Sequence, residues 1–252
     1  MKVALVTGAS GGIGEQIARD LLASGYYVAV TGRSLYRLTD VWGDETVLLI
    51  EADATSIEDC KRAVAAVIEK FGKLDVLINN VGGGALQQTL ESGSETEFNR
   101  MMDLNIKSVF FMTQCAIPQL AATRGSIVNF SSVLASRPGP GLASYCASKA
   151  AVEMLTKCSA LELASKGIRV NCVAPTATET HFHQSAGMTA EAAAAYYKKA
   201  ATAHPLGKLS TVKDVSEATL FLCDSARAGS ITGTILTVDN GRLLTSATPK
   251  IE

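Results

Sequence analysis

Charge is scarce in this chain. Asp, Glu, Lys and Arg make up 19% of its 252 residues, against the roughly 25% of an ordinary soluble domain. Neither sign dominates: 23 Lys+Arg face 24 Asp+Glu, for a formal net charge of -1. That balance argues against nucleic acid or an anionic membrane as a partner, because both select for a basic excess. No apolar run reaches the roughly 18 residues of a membrane span. The six cysteines, at 60, 115, 146, 158, 172 and 223, contain no C-x-x-C pair, so they read as reduced, mostly buried small hydrophobes. Histidine is rare as well. His181, His183 and His204 have no Cys or Asp cluster beside them, so exposed or loop histidines are expected and no metal. Linkers, low-complexity tracts and short repeats are also missing. The first apolar run begins at Val3, which leaves no room for a signal peptide, and Pro249-Lys250-Ile251-Glu252 is no retention or peroxisomal address. The expectation is a cytoplasmic protein.

What the chain does have is apolar residues, 47% counting AVILMFWYC, enough to exclude disorder. They fall into short runs such as Val3-Ala4-Leu5-Val6, Val28-Ala29-Val30, Val47-Leu48-Leu49-Ile50 and Val76-Leu77-Ile78. Further runs are Ile127–Phe130, Ile168–Asn171 and Ile235–Val238. Near-continuous hydrophobicity suits parallel strands covered on both faces. Between them lie helical patterns, as in Ile13, Ile17, Leu21 and Leu22, or the Ala-rich Ala143–Ser165. Repeated β-then-α units predict an α/β fold, a Rossmann-like doubly wound parallel sheet with helices on both faces, in one domain over 1–252. The stretch 176–207 lacks strand signals and is expected to form a helical lid over the carboxyl edge of the sheet, where ligands bind.

Strand one runs into Thr7-Gly8-Ala9-Ser10-Gly11-Gly12-Ile13-Gly14 and then a helix. Glycines let such a chain turn tightly and let phosphate approach the backbone, while the helix start offers free N–H groups and a positive dipole end. The spacing differs from the commoner G-x-G-x-x-G. It resembles the short-chain dehydrogenase/reductase family, and the resemblance grows downstream. Asn79-Asn80-Val81-Gly82 is similar to that family's N-N-A-G. Ser131-Ser132 precedes Tyr145-Cys146-Ala147-Ser148-Lys149, its Y-x-x-x-K, and Leu104-Asn105-Ile106 holds its helix asparagine. Pro205-Leu206-Gly207 and Asp239-Asn240-Gly241 resemble its late segments, so the ordered set spans nearly the whole chain. It implies a nicotinamide cofactor held by Gly8, Ser10, Gly11, Gly12, Ile13 and Gly14.

The end of strand two bears on which dinucleotide. An NAD enzyme places Asp or Glu here for the ribose hydroxyls. The resemblance puts Gly32 at that position, and Arg33-Ser34 follow. A guanidinium can bind a 2′-phosphate that a carboxylate would repel, so NADP(H) is expected, unless Arg33 is merely solvated. By resemblance Asp53 contacts adenine, with Ala54 beside it; the alternative is an Asp capping the next helix. Asn80 matches a cofactor-contacting asparagine or a residue satisfying the sheet end, with Val81 and Gly82 alongside.

Tyr145 and Lys149 share one helix face. A phenol titrates near pH 10, and an ammonium nearby lowers that value, which suits it to exchange a proton with a carbonyl oxygen as hydride moves. Resemblance gives Lys149 the ribose hydroxyls as well and Asn105 a proton-relaying water, with helix-bend satisfaction the alternative for Asn105. Ser132 could donate to the substrate oxygen, with Ser131 its rival. Two departures stand out. The family's P-G after strand six is Pro175-Thr176, and Val81 replaces Ala; Thr178 and Thr180 still match its contacts to the carboxamide end. The implied activity is an NADP(H)-dependent carbonyl reductase acting on a ketone or secondary alcohol. A non-catalytic cofactor sensor, an NAD-preferring alcohol dehydrogenase, and reduction of C=C or C=N are the alternatives, although the enoyl-type Tyr–Lys spacing is absent. The substrate should lie among 83–89, 133–142 and 182–197, with Leu134, Leu142, Phe182, Met188 and Tyr196 as its apolar walls. Arg137, His183 and Gln184 would meet a polar end or water. The outer face of Ala143–Ser165 is too apolar for solvent, and the resemblance implies a homodimer or homotetramer packed through it and its 96–122 neighbour.

Overall fold

The computed structural model describes residues 1–43, 46–84, 89–180, 184 and 187–245. Seven strands form one parallel sheet: β1 (Val3–Thr7), β2 (Tyr27–Gly32), β3 (Val47–Glu51), β4 (Val76–Asn79), β5 (Ser126–Phe130), β6 (Arg169–Pro175) and β7 (Ile235–Val238). Their order is β3-β2-β1-β4-β5-β6-β7. The chain reverses direction between β1 and β4, and the crevice that opens there at the carboxyl ends is the ligand position of doubly wound sheets.

Alternation along each strand builds two cores. Val3 and Leu5 face one layer with Leu77 and Ile127, against α3 (Ile57–Phe71), α5 (Ser108–Thr123) and α6 (Ala143–Leu163). Ala4 and Val6 face the other with Ile78 and Val128, against α1 (Gly12–Ala23), α2 (Leu35–Trp42) and α8 (Val212–Cys223). Both faces being covered is what the continuous apolar runs required. Helix α4 (Glu95–Met102) passes into α5 through a π-helical turn, Asp103–Lys107. Helix α7 (Ala190–Thr202) stands within the 176–207 stretch, and the short α9 (Ser225–Ala228) precedes β7. No described helix is long and apolar enough to cross a membrane. Three cysteines are buried and two half-buried, but Cys158 is exposed, so burial accounts for fewer of them than expected.

Candidate active site

The glycine loop is held from behind. The Asn80 amide donates to the carbonyls of Thr7 and Gly8 at 3.1 and 2.9 Å, while its backbone N–H and that of Val81 donate to Thr7 Oγ1. A Cβ on Gly14 would lie 2.4 Å from Asn80 Nδ2 and 2.5 Å from the Gly8 carbonyl, so only glycine lets α1 approach β1 this closely. Asn80 therefore satisfies the sheet end and sets the loop in one act. The Trp42 indole donates to the Ala9 carbonyl at 3.0 Å, and Arg19 stacks 4.6 Å over its ring. In front the loop is open: a Cβ on Gly11 would meet nothing within 4 Å, and one on Gly12 only Thr180. Helices α2, α3, α4, α7 and α8 begin with a Ser or Thr side chain capping an amide. Helix α1 begins on Gly11 without one. Its first amides are left without a side-chain cap, which fits a pyrophosphate.

The other cofactor positions lie at successive strand ends. Ser10 is exposed on the loop. Arg33 is exposed after β2, and no described residue hydrogen-bonds or ion-pairs its guanidinium. Ser34 caps α2 by accepting from the Arg37 amide, which leaves its hydroxyl proton free to donate. Asp53 does not cap α3; Ser56 does. Asp53 instead closes a turn, its Oδ1 accepting from the amide and hydroxyl of Thr55, and Ala54 beside it is buried.

Ser132, Tyr145, Lys149 and Asn105 are all buried around the end of β5. The two serines separate cleanly. Ser131 donates to Glu153 Oε1 at 2.9 Å and lies 3.1 Å from the Lys149 carbonyl, so its hydroxyl is committed to α6. Ser132 turns the other way, towards Tyr145, and the hydrogen bond between them is the one influence that lowers the phenol's pKa. Burial outweighs it and pushes Tyr145 up to about 12. This differs from the expectation that Lys149 would lower it. The ammonium sits 5.9 Å from the ring centre, donates to the Phe130 carbonyl at 2.9 Å, and is itself pushed down to about 8 by burial. Desolvation disfavours both charged forms, and the pair is too far apart to offset it.

Asn105 lies inside the π turn. Its Oδ1 accepts from the Gly83 amide and its Nδ2 donates to the Gly83 carbonyl and Ser148 Oγ, so it stitches the strand-four loop to α6. A Cβ on Gly82 would lie 2.9 Å from Asn105 Oδ1 and 3.1 Å from Lys149 Nζ.

After β6, the unusual Thr176 is buried with its hydroxyl 2.9 Å from His204 Nε2, and His204 Nδ1 lies 2.6 Å from the Ala200 carbonyl of α7. His204 stands in the loop after α7, as expected, but it is buried and fully bonded, which sequence reasoning missed. The nearby Thr176 departure was the available signal. Pro175 is half-buried, and Thr178 Oγ1 donates to the Thr176 carbonyl. The Tyr197 hydroxyl of α7 donates to the Thr180 carbonyl at 2.9 Å, and the Thr180 methyl lies over Gly12. Helix α7 is thereby tied to both the phosphate loop and the end of β6. Leu134 packs against the cluster of Met101 and Tyr145. Arg137 Nη1 holds the carbonyls of Arg242 and Thr245, each at 2.6 Å. Residues 85–88, Phe182 and the histidines 181 and 183 lie outside the described residues. A recess of about 510 Å³ between α1 and α8 is remote from all of this, and Lys213 pairs there with Asp20 and Glu217.

Known proteins resemble this chain in sequence and fold. A family model described as Enoyl-(Acyl carrier protein) reductase matches residues 8–242. The 4-formylbenzenesulfonate dehydrogenase of Comamonas testosteroni is 36% identical, over 96% of this chain and 97% of its own. A short-chain dehydrogenase/reductase of unknown function from Caenorhabditis elegans, solved with cofactor, superposes with a TM-score of 0.93 at 30% identity, covering 98% of this chain and 96% of that one. A 3-ketoacyl-(acyl-carrier-protein) reductase from Brucella melitensis, complexed with NADH, gives 0.88 at 36% identity over 96% and 98%. With its glycine loop, its Ser-Tyr-Lys centre and these relatives, the chain belongs to the short-chain dehydrogenase/reductase family of NAD(P)-binding oxidoreductases.

Proposed function

We propose that the chain is an NADP(H)-dependent carbonyl reductase that moves hydride between nicotinamide and a ketone or secondary alcohol. The observation that carries this is the buried Ser132–Tyr145 hydrogen bond beside Lys149. The glycine loop and the strand ends would hold the reduced dinucleotide, which when bound would supply the hydride. Ser132 donates to the carbonyl oxygen, which stabilises the charge developing there. Tyr145, kept protonated by burial, gives that oxygen its proton. Lys149 would hold the ribose hydroxyls and would pass a proton back to the phenol. Asn105 fixes the Gly82–Gly83 backbone, and the missing Gly82 side chain leaves room for a relay water between Asn105 and Lys149. Pro175, Thr176, Thr178 and Thr180 border the carboxamide end, and the 176–207 stretch serves as the lid.

The preference for NADP(H) rests on Arg33, a guanidinium without a partner among the described residues, and on Gly32 where a carboxylate would repel the phosphate. The Brucella neighbour was complexed with NADH, so the alternative is an NAD-preferring dehydrogenase. Arg33→Glu should raise the NADPH dissociation constant at least tenfold, about 1.4 kcal/mol, with little change for NADH; an equal rise for both would refute the assignment. Two of the three relatives, from Comamonas and Brucella, take a carbonyl compound by name, and the family model is described by enoyl reduction. A panel of ketones, aldehydes and enones, followed by NADPH absorbance, separates these readings. Ketone turnover lost about 10²–10⁴-fold in Tyr145→Phe supports the proposal. Oxidation of NADPH by enones alone, or cofactor binding without turnover, favours the C=C or sensor reading. We place the enzyme in the cytoplasm, consistent with its unpaired cysteines. Its working form is proposed to be a homodimer or homotetramer.

A further inference from the structure

We infer that the substrate carries an anionic group, a carboxylate, sulfonate or phosphate, and that Arg137 and Arg242 receive it at the outer end of the cleft. This deepens the carbonyl-reductase reading and rests on it. Two guanidiniums converge on one neutral oxygen: Arg137 Nη1 lies 3.2 Å and Arg242 Nη1 2.8 Å from Thr245 Oγ1. That hydroxyl spends its own proton on the Arg242 carbonyl at 2.9 Å. Among the described residues no carboxylate is bonded to either cation. The acid nearest in sequence, Asp239, accepts from the Gly241 amide at 3.0 Å and the Leu243 amide at 2.7 Å; its charge reaches Arg242, but it forms no ion pair with either guanidinium. Both arginines are half-buried, so water screens their repulsion incompletely.

Their place in the fold identifies the anion. Arg137 belongs to the segment that runs from Ser132 to the Tyr145 helix, and Leu134 of the same segment packs against the cluster of Met101 and Tyr145. Across from it, Tyr196 of α7 feels the charge of Arg242. The cation pair therefore joins two walls of the proposed cleft. The outward N–H groups of a guanidinium match an oxyanion in geometry and charge.

The test compares acids with their esters: 4-acetylbenzoate against its methyl ester, and levulinate against its ethyl ester, each with reduced cofactor. In the wild type kcat/KM for an acid should exceed that for its ester about tenfold, mainly through KM, and rising salt should erode the difference. The acid-to-ester ratio should fall to near one in Arg242→Gln and recover in part in Arg242→Lys. A ratio near one in the wild type, or one that survives Arg242→Gln, overturns the inference while the reductase reading stands. If cofactor binds but neither compound is turned over, the reductase reading has failed. The anion site is then read by calorimetric titration of 4-acetylbenzoate into the cofactor-loaded chain. Saturable binding that Arg242→Gln abolishes upholds the site, and no binding in the wild type overturns it.

Discussion

Lys149 sets the pH behaviour at the scale of single residues. Its ammonium is pushed down to about 8 by burial, while Tyr145 stays protonated up to about 12. Below pH 8 both groups are protonated, as proton donation to a carbonyl requires. As pH rises through 8, Lys149 loses its charge first, and with it the hold on the ribose and the proton supply to the phenol. The parameter kcat/KM for the reduced cofactor reports groups of the cofactor-free chain. It should fall on the alkaline side with an apparent pKa near 8, and Lys149→Arg, which cannot lose its proton, should move that limb upward. A limb found only near 12 would mean that Tyr145 alone governs the step. The sequence told where these groups lie but not their charge balance. Four residues on a helix bring Lys149 and Tyr145 to one face, yet the distance from ammonium to phenol and the carbonyl of Phe130 that captures the ammonium are tertiary facts.

At the scale of elements, the strands were legible because burial on two faces leaves continuous apolar runs, and each observed strand overlaps its run. The π turn around Asn105 was not, since it depends on bonds to Gly83 and Ser148, distant in sequence. Nor was the tie between β6 and α7. A carbonyl can only accept, so His204 Nδ1 carries the proton that goes to Ala200; Nε2 of the neutral ring is then the acceptor, and the Thr176 hydroxyl donates to it. Replacing that hydroxyl by a methyl leaves a buried ring nitrogen without a partner, a cost of about 1–3 kcal/mol. Thr176→Val should lower Tm and speed amide exchange across 190–202, whereas Thr176→Ser should behave like the wild type. Unchanged exchange in Thr176→Val would show that α7 is held by the Tyr197–Thr180 contact alone.

At the scale of the whole molecule, the scarcity of charge has a location. The outer face of α6 presents Ala147, Ala151, Met154, Cys158 and Leu161, one stripe at helical spacing, and Met154 and Leu161 are 58% and 82% exposed in the single chain. Phe110 of α5 and Phe98 of α4 are also about half exposed, at 46% and 49%. Large apolar side chains gathered on neighbouring helices seek a partner, at roughly 25 cal/mol for each Å² they remove from water. The partner proposed is a second copy of this chain, because a two-fold axis lets one self-complementary stripe cover itself. Leu161→Glu puts a charge on that stripe without touching the core of the chain, so folding should survive while association does not. Light scattering at micromolar concentration should give a dimer or tetramer for the wild type and a smaller species for Leu161→Glu; a monomeric wild type would sink the proposal and leave the stripe to another protein.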